Sequence, residues 1–150
     1  MNNKRGCTII EFLVAMGLIT ILLIVSIVML GGYHKKTRDM KRLNDMKSLQ
    51  TAMILVFDSQ KNFNSCSLGS VKDCSYPAFR ENIRDFDFFG EPFKSETFCH
   101  DNCTEPCQYS FVREPKDNDY QVLFYLEKGL ATDKKGCYEL TPQGISKWTP

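Results

Sequence analysis

Cysteine carries the densest chemistry in this chain of 150 residues. Cys66, Cys74, Cys99, Cys103, Cys107 and Cys137 fall in the second half, and Cys7 stands apart near the start. Cysteines at this density either oxidise to disulfides or hold a soft cation as thiolates. Cys99, His100, Cys103 and Cys107 form the crowded set that tempts a metal reading. Structural zinc sites use two close pairs separated by a spacer, whereas here three residues separate each cysteine from the next, with Pro106 among them. That spacing favours disulfides over a metal, and no cofactor is expected. Cys66 and Cys74 are expected to pair across a short loop, and the other pairings stay open because spacing alone does not choose among them. A redox C-x-x-C motif is absent.

The second chemical feature is a lone acid at the edge of an oily run. Phe12 to Leu30 reads FLVAMGLITILLIVSIVML without a charge, and Glu11 stands immediately before it. Nineteen helical residues span roughly 28 Å, close to the hydrocarbon thickness of a bilayer. Only Gly17, Thr20 and Ser26 interrupt the run, and membrane helices tolerate all three. An ionisable group beside such a span is costly and calls for a partner. Ordinary secretory signals do not fit: they put a short apolar region before a small-residue cleavage site, whereas here the very short polar leader MNNKRG is followed at once by the apolar run, with Glu11 near its start. An uncleaved signal anchor explains the span and Lys4-Arg5 but leaves the carboxylate unexplained. A headgroup-level acid in contact with water is the plainer alternative. Enzymatic chemistry is not expected: His34 and His100 are the only histidines, and neither sits in a nucleophile or metalloenzyme motif.

Taken together, KRG-CTIIEFLVAMGLITILLIV resembles the prepilin signature of type IV pilins and type II secretion pseudopilins. The resemblance covers roughly residues 4 to 32 and implies cleavage by a prepilin peptidase between Gly6 and Cys7, with methylation of the new amine. It also implies that Glu11, fifth in the mature chain, pairs with the N-terminal amine of a neighbouring subunit during assembly. The physics is consistent: a carboxylate in apolar surroundings is tolerable when a cation lies within hydrogen-bond reach. Two departures stand out. Cys7 occupies a position where the family has phenylalanine or methionine, and no proline lies deep in the span. The second departure leans toward a pseudopilin or minor pilin.

The elements that must position these groups follow from pattern. Past Gly31-Gly32, whose helix cost is only about 2 kcal/mol, Met40, Leu43, Met46 or Lys47, Gln50, Met53 and Phe57 recur at steps of three and four. One long helix is expected from about Thr8 to Lys61, its outer half lying on a sheet. Strands are expected at 108–114, 120–128, 136–141 and 144–148, rich in aromatic and branched residues. The segment Pro115-Lys116-Asp117-Asn118-Asp119 and the pair Pro142-Gln143 are expected as hairpin turns; the Asp-Asn-Asp run lacks a full calcium-loop pattern. Phe79, Phe86, Phe88, Phe89, Phe93 and Phe98 are expected in the core, since exposing so many rings invites aggregation. Lys35, Lys36, Arg38, Lys41 and Arg42 form a basic stretch, read as a solvated face or, more sharply, as a DNA-contacting strip. No stacking aromatics interleave it.

The expected fold is α+β: a long N-terminal helix, membrane-spanning in its first half, packed on a small antiparallel sheet, in the type IV pilin-like manner the resemblance implies. Residues 1–6 are the leader, 7–32 the transmembrane or filament-core helix, and 33–150 the globular domain. The expected role is a pilin or pseudopilin: a single-pass protein of the cytoplasmic membrane with an extracytoplasmic domain. It assembles with other pilin subunits into a periplasmic or extracellular filament. The alternative is a monomeric, signal-anchored extracytoplasmic binding domain. Net charge is +1, so no global charge points to nucleic acid.

Overall fold

A computed structural model describes residues 8–59, 66–74, 77–83, 85–93, 95–100, 103–116, 119–130 and 134–149. Gly6, Cys7 and the turn residues Asp117 and Asn118 lie outside the described residues, as does the side chain of Phe79. The chain divides into two compact units, Met1–Lys35 and Lys36–Pro150, and helix α1, Ile9–Asp58, contributes to both.

Within the first unit α1 is apolar all round. Every large apolar side chain from Ile9 to Met29 is exposed, between 47 % and 81 %. The two hydroxyls between Phe12 and Met29 are satisfied inside the helix: Thr20 Oγ1 donates to the carbonyls of Met16 (2.7 Å) and Gly17 (3.0 Å), and Ser26 Oγ to that of Leu22 (2.8 Å). Such back-bonding leaves no polar group asking for water, which a lipid or apolar protein environment requires. The helix is long and apolar enough to cross a membrane. It also runs through Gly31-Gly32 without a break.

In the second unit the rest of α1 lies on a five-stranded antiparallel meander in the order β1 (Gly69–Ser70), β2 (Ser110–Lys116), β3 (Asp119–Leu126), β4 (Gly136–Thr141), β5 (Gly144–Lys147). A short helix α2, Pro77–Asn82, precedes the loops that lead into β2. Alternation sorts the side chains. Tyr120, Val122, Phe124 and Leu126 of β3 join Met46, Leu49, Ala52, Met53 and Val56 of α1 in the main core. Leu123 and Tyr125 point the other way, into a second cluster with Cys99, Cys107 and Cys137. β3 is therefore covered on both faces, which explains its unbroken apolar run.

Four strands match expectation closely. The fifth, β1, is two residues long and carries no pattern to read. Pro115 sits within β2, where the register shifts between Phe111 and Arg113 and again between Arg113 and Lys116. β1 pairs only with Ser110 and Phe111, so on that side no described strand bonds Pro115, which has no N–H to give. The Pro142-Gln143 turn closes on Thr141 and Gly144, and Gly144 adopts φ +123°, a value that only glycine takes without strain.

Two expectations are corrected. On α1 the expected Met46 and Met53 are buried and Leu43 and Phe57 pack against the core, but Met40 is 56 % exposed and Gln50 is not in the core; Asp39, Arg42, Leu49, Ala52 and Val56 complete the buried face. The pattern misled because two charged residues occupy core positions. Of the phenylalanines, Phe86 and Phe89 are buried, whereas Phe88, Phe93 and Phe98 are exposed. Phe93 is accounted for by the Arg38 guanidinium, which lies 4.6 Å from its ring centre.

Candidate functional site

The acid at the helix start has a local setting. Thr8 caps α1: its Oγ1 accepts from the Glu11 N–H at 3.3 Å, and its carbonyl accepts from Phe12 N–H at 3.2 Å. Glu11 is thus the third helical residue of a Thr-x-x-Glu capping sequence, and its charge also favours the positive end of the helix dipole. Sequence reasoning passed over Thr8, although the four-residue spacing before an apolar run is itself a recognisable signal.

At the other end of the polar scale is a buried ion network. The Arg42 side chain is fully buried. Its Nε (2.9 Å) and Nη2 grip the two oxygens of Glu91, while Nη1 donates to Asp39 (2.7 Å) and Glu127 (2.9 Å). Arg38 takes Glu127 in a second two-point grip, 2.7 Å on each side. Asp39 spends its remaining capacity on the backbone, accepting from Glu127 N–H at 2.9 Å and Lys128 N–H at 2.7 Å. One turn further on, Asp45 accepts from Lys41 (2.7 Å), Tyr109 Oη (3.1 Å) and Gly90 N–H (3.3 Å), and Lys41 also donates to the Gly90 carbonyl at 2.8 Å. Two loops, Gly90–Glu91 and Glu127–Lys128, are thereby fastened to α1. Burial works against the Arg42 charge, but Glu91, Glu127 and Asp39 outweigh it and hold the guanidinium more basic than usual. Burial, reinforced by Asp45, raises the Tyr109 hydroxyl.

This network removes most of the expected DNA-contacting strip. Arg42 presents no surface to a phosphate, and Arg38 and Lys41 are committed to Glu127 and Asp45. Of the five cations, Lys35 and Lys36 are exposed.

Hydrogen bonds from Arg38, opposed by burial and aided by Arg42, hold the Glu127 carboxyl down at about 2. A carboxyl depressed on folding adds stability that is complete above its unfolded value, about 4.3, and is lost as pH falls through the folded one. We therefore expect Glu127 to contribute on the order of 2–3 kcal/mol at neutral pH, falling away between about pH 4 and pH 2. Urea unfolding across that window checks this: Glu127→Gln should flatten the decline, and an unchanged slope would refute it.

The six cysteines of the second unit come together in three pairs at disulfide distance. Cys66 and Cys74 pair as expected, Cα atoms 4.5 Å apart. Cys99 pairs with Cys107 (5.1 Å) and Cys103 with Cys137 (5.3 Å), the latter tying the loop to β4. Ser110 Oγ donates to the Cys99 carbonyl, and Cys99 N–H donates to the Gln108 carbonyl at 2.9 Å, so the loop is also stitched to the start of β2.

The class defined by these observations is an α+β protein with a disulfide-stapled sheet unit and one N-terminal helix able to cross a membrane. Comparisons with family models, with curated proteins and with solved structures find no match to this chain.

Proposed function

We propose that this chain is a pilin-like structural subunit, processed after Gly6 and assembled through its N-terminal helix into a filament. The observation that carries the reading is the first unit of α1: from Ile9 to Met29 its apolar side chains are all exposed, with a single acid, Glu11, at the start. A surface of that kind is stable only in lipid or against other apolar helices. A bilayer suits the apolar part, while a carboxylate at its edge is favoured by a nearby cation. A bundle of like helices, each bringing a new N-terminal amine near the Glu11 of its neighbour, satisfies both. In this reading the partners are a prepilin peptidase, the cytoplasmic membrane and further pilin subunits, and the disulfide-bonded unit faces the extracytoplasmic side.

Two supports are independent of the resemblance. Disulfides belong to an oxidising compartment, and three of them occur in the unit that would be exported. The back-bonded Thr20 and Ser26 suit a helix that moves from lipid into a protein bundle without exposing a polar group. Mass spectrometry of the chain from its native membranes tests the reading. The expected mature protein lacks residues 1–6 and carries a methylated Cys7 amine. Gly6→Val should leave the precursor uncut and filaments absent. An intact Met1 on the mature protein would instead favour a monomeric, signal-anchored domain.

A further inference from the structure

Two disulfides in the second unit are unusual neighbours. Cys99 and Cys107 belong to one and Cys103 to the other, yet their three sulfurs all lie within 4.8 Å of one another. Cys137 is bonded to Cys103 and so belongs to the same knot. The backbone around it is held from several sides: Cys99 by Gln108 and Ser110, and Cys137 by its place in β4, where its carbonyl accepts from Trp148 N–H at 3.1 Å. Leu123 and Tyr125 form an apolar floor, and Cys99, Cys107 and Cys137 are buried. Cys103 is partly exposed and provides the entry.

We propose that these four sulfurs are a thiolate site for one soft divalent cation of the zinc class, occupied whenever the two disulfides are reduced. A tetrahedral zinc–thiolate site has Zn–S bonds of about 2.3 Å, which places its sulfurs about 3.8 Å apart. Opening two disulfides and drawing the remaining gaps inward therefore asks the three loop sulfurs to move on the order of 1 Å each, with Cys137 brought in through its place beside Cys103. Three ligands come from one loop and the fourth from a strand, so the sheet fixes one side while the loop adjusts. The chemistry balances with a dithiol as reductant. Each disulfide takes up two electrons and two protons to give two thiols, and the dithiol leaves as its own disulfide. The cation then displaces up to four thiol protons. Oxidised and metal-loaded forms exclude each other, because the cation needs thiolates and a sulfur held in a disulfide is not one. The site is independent of the filament reading. Its consequence is that a chain awaiting oxidation keeps these neighbouring thiols from joining in the wrong pairs.

The test uses the full chain in detergent, reduced anaerobically with a phosphine and titrated with Zn²⁺, Cd²⁺ or Co²⁺ alone. The expected result is saturation at one ion per chain with a tetrahedral-thiolate cobalt spectrum. Zinc should slow alkylation of Cys99, Cys103, Cys107 and Cys137 by roughly tenfold or more, because the bound thiolates are no longer free nucleophiles. Cys7, Cys66 and Cys74 should react at their metal-free rate. Cys103→Ser should lose the saturable endpoint, while Cys66→Ser with Cys74→Ser should keep it. Protection spread evenly over all seven cysteines, or a titration unchanged by Cys103→Ser, would overturn the proposal. Should Cys103→Ser not fold, the alkylation footprint on the unmutated chain decides alone.

Discussion

Replacing Arg42 with methionine should destabilise the sheet unit by about 3–5 kcal/mol, the usual cost of stranding a buried charge. Glu91 has no exposed side-chain surface and loses its only cation among the described residues, while Asp39 and Glu127 each lose one of several partners. Methionine fills much of the vacated volume, so the loss reads as charge rather than cavity. The companion variant separates the two. Arg42→Met combined with Glu91→Leu removes the fully buried pair together, leaves Asp39 bonded to two backbone N–H groups and leaves Glu127 bonded to Arg38. Most of the stability should return, because replacing both partners by apolar groups is often neutral or better. Urea unfolding of the chain in detergent, followed by Trp148 fluorescence, gives both numbers. A single-variant loss below about 1 kcal/mol would show that the network contributes little beyond packing.

Glu11→Gln should leave the subunit folded, inserted and processed, yet reduce filaments by more than about tenfold, since losing a charge-assisted hydrogen bond of 1.5–3 kcal/mol at every subunit contact compounds along a polymer. The substitution is chosen because of what it keeps. A Thr-x-x-Gln sequence still suits a capping box, the backbone N–H that Thr8 Oγ1 accepts from is untouched, and glutamine matches glutamate in size. Only the charge is removed. A role confined to the Thr8 cap would therefore survive the change, whereas a role that needs the charge, such as pairing with a neighbour's amine, would not. Electron microscopy of sheared filaments, set beside the amount of processed subunit in the membrane, reads the two apart. Normal filaments from the glutamine variant would defeat the assembly reading. Fewer filaments together with a fall in processed subunit would shift the role of Glu11 to peptidase recognition.

These two residues also mark how far a reader of the sequence can go. Glu11 is conspicuous because contrast is local: one acid against nineteen uncharged residues needs no fold to be noticed. Arg42 is inconspicuous because its neighbours on the helix are also charged, and nothing nearby distinguishes the buried cation from the exposed Lys35 and Lys36. Its partners Glu91 and Glu127 lie 49 and 85 residues away. The same blindness misplaced the start of the buried face of α1, where Asp39 and Arg42 are buried and Met40 is not, while Met46 and Met53 further on are buried as expected. The phenylalanine-rich stretch failed for a related reason. Phe86 and Phe89 are stacked in the core, while Phe88 between them is exposed and Phe93 lies against a cation.

What the sequence by itself determined is whatever depends on neighbours along the chain. The apolar run with its acid, the long helix, four strands, the Pro142-Gln143 turn, and the Cys66–Cys74 pair across a short loop all rest on local period, propensity or loop length. Only the tertiary structure decided which strand is covered on both faces, which of the helix charges are buried, and that two disulfides share one sulfur cluster. Each of these depends on which distant segments meet. That meeting is governed by the burial of whole faces and the pairing of charges far apart in sequence, quantities that no local window contains.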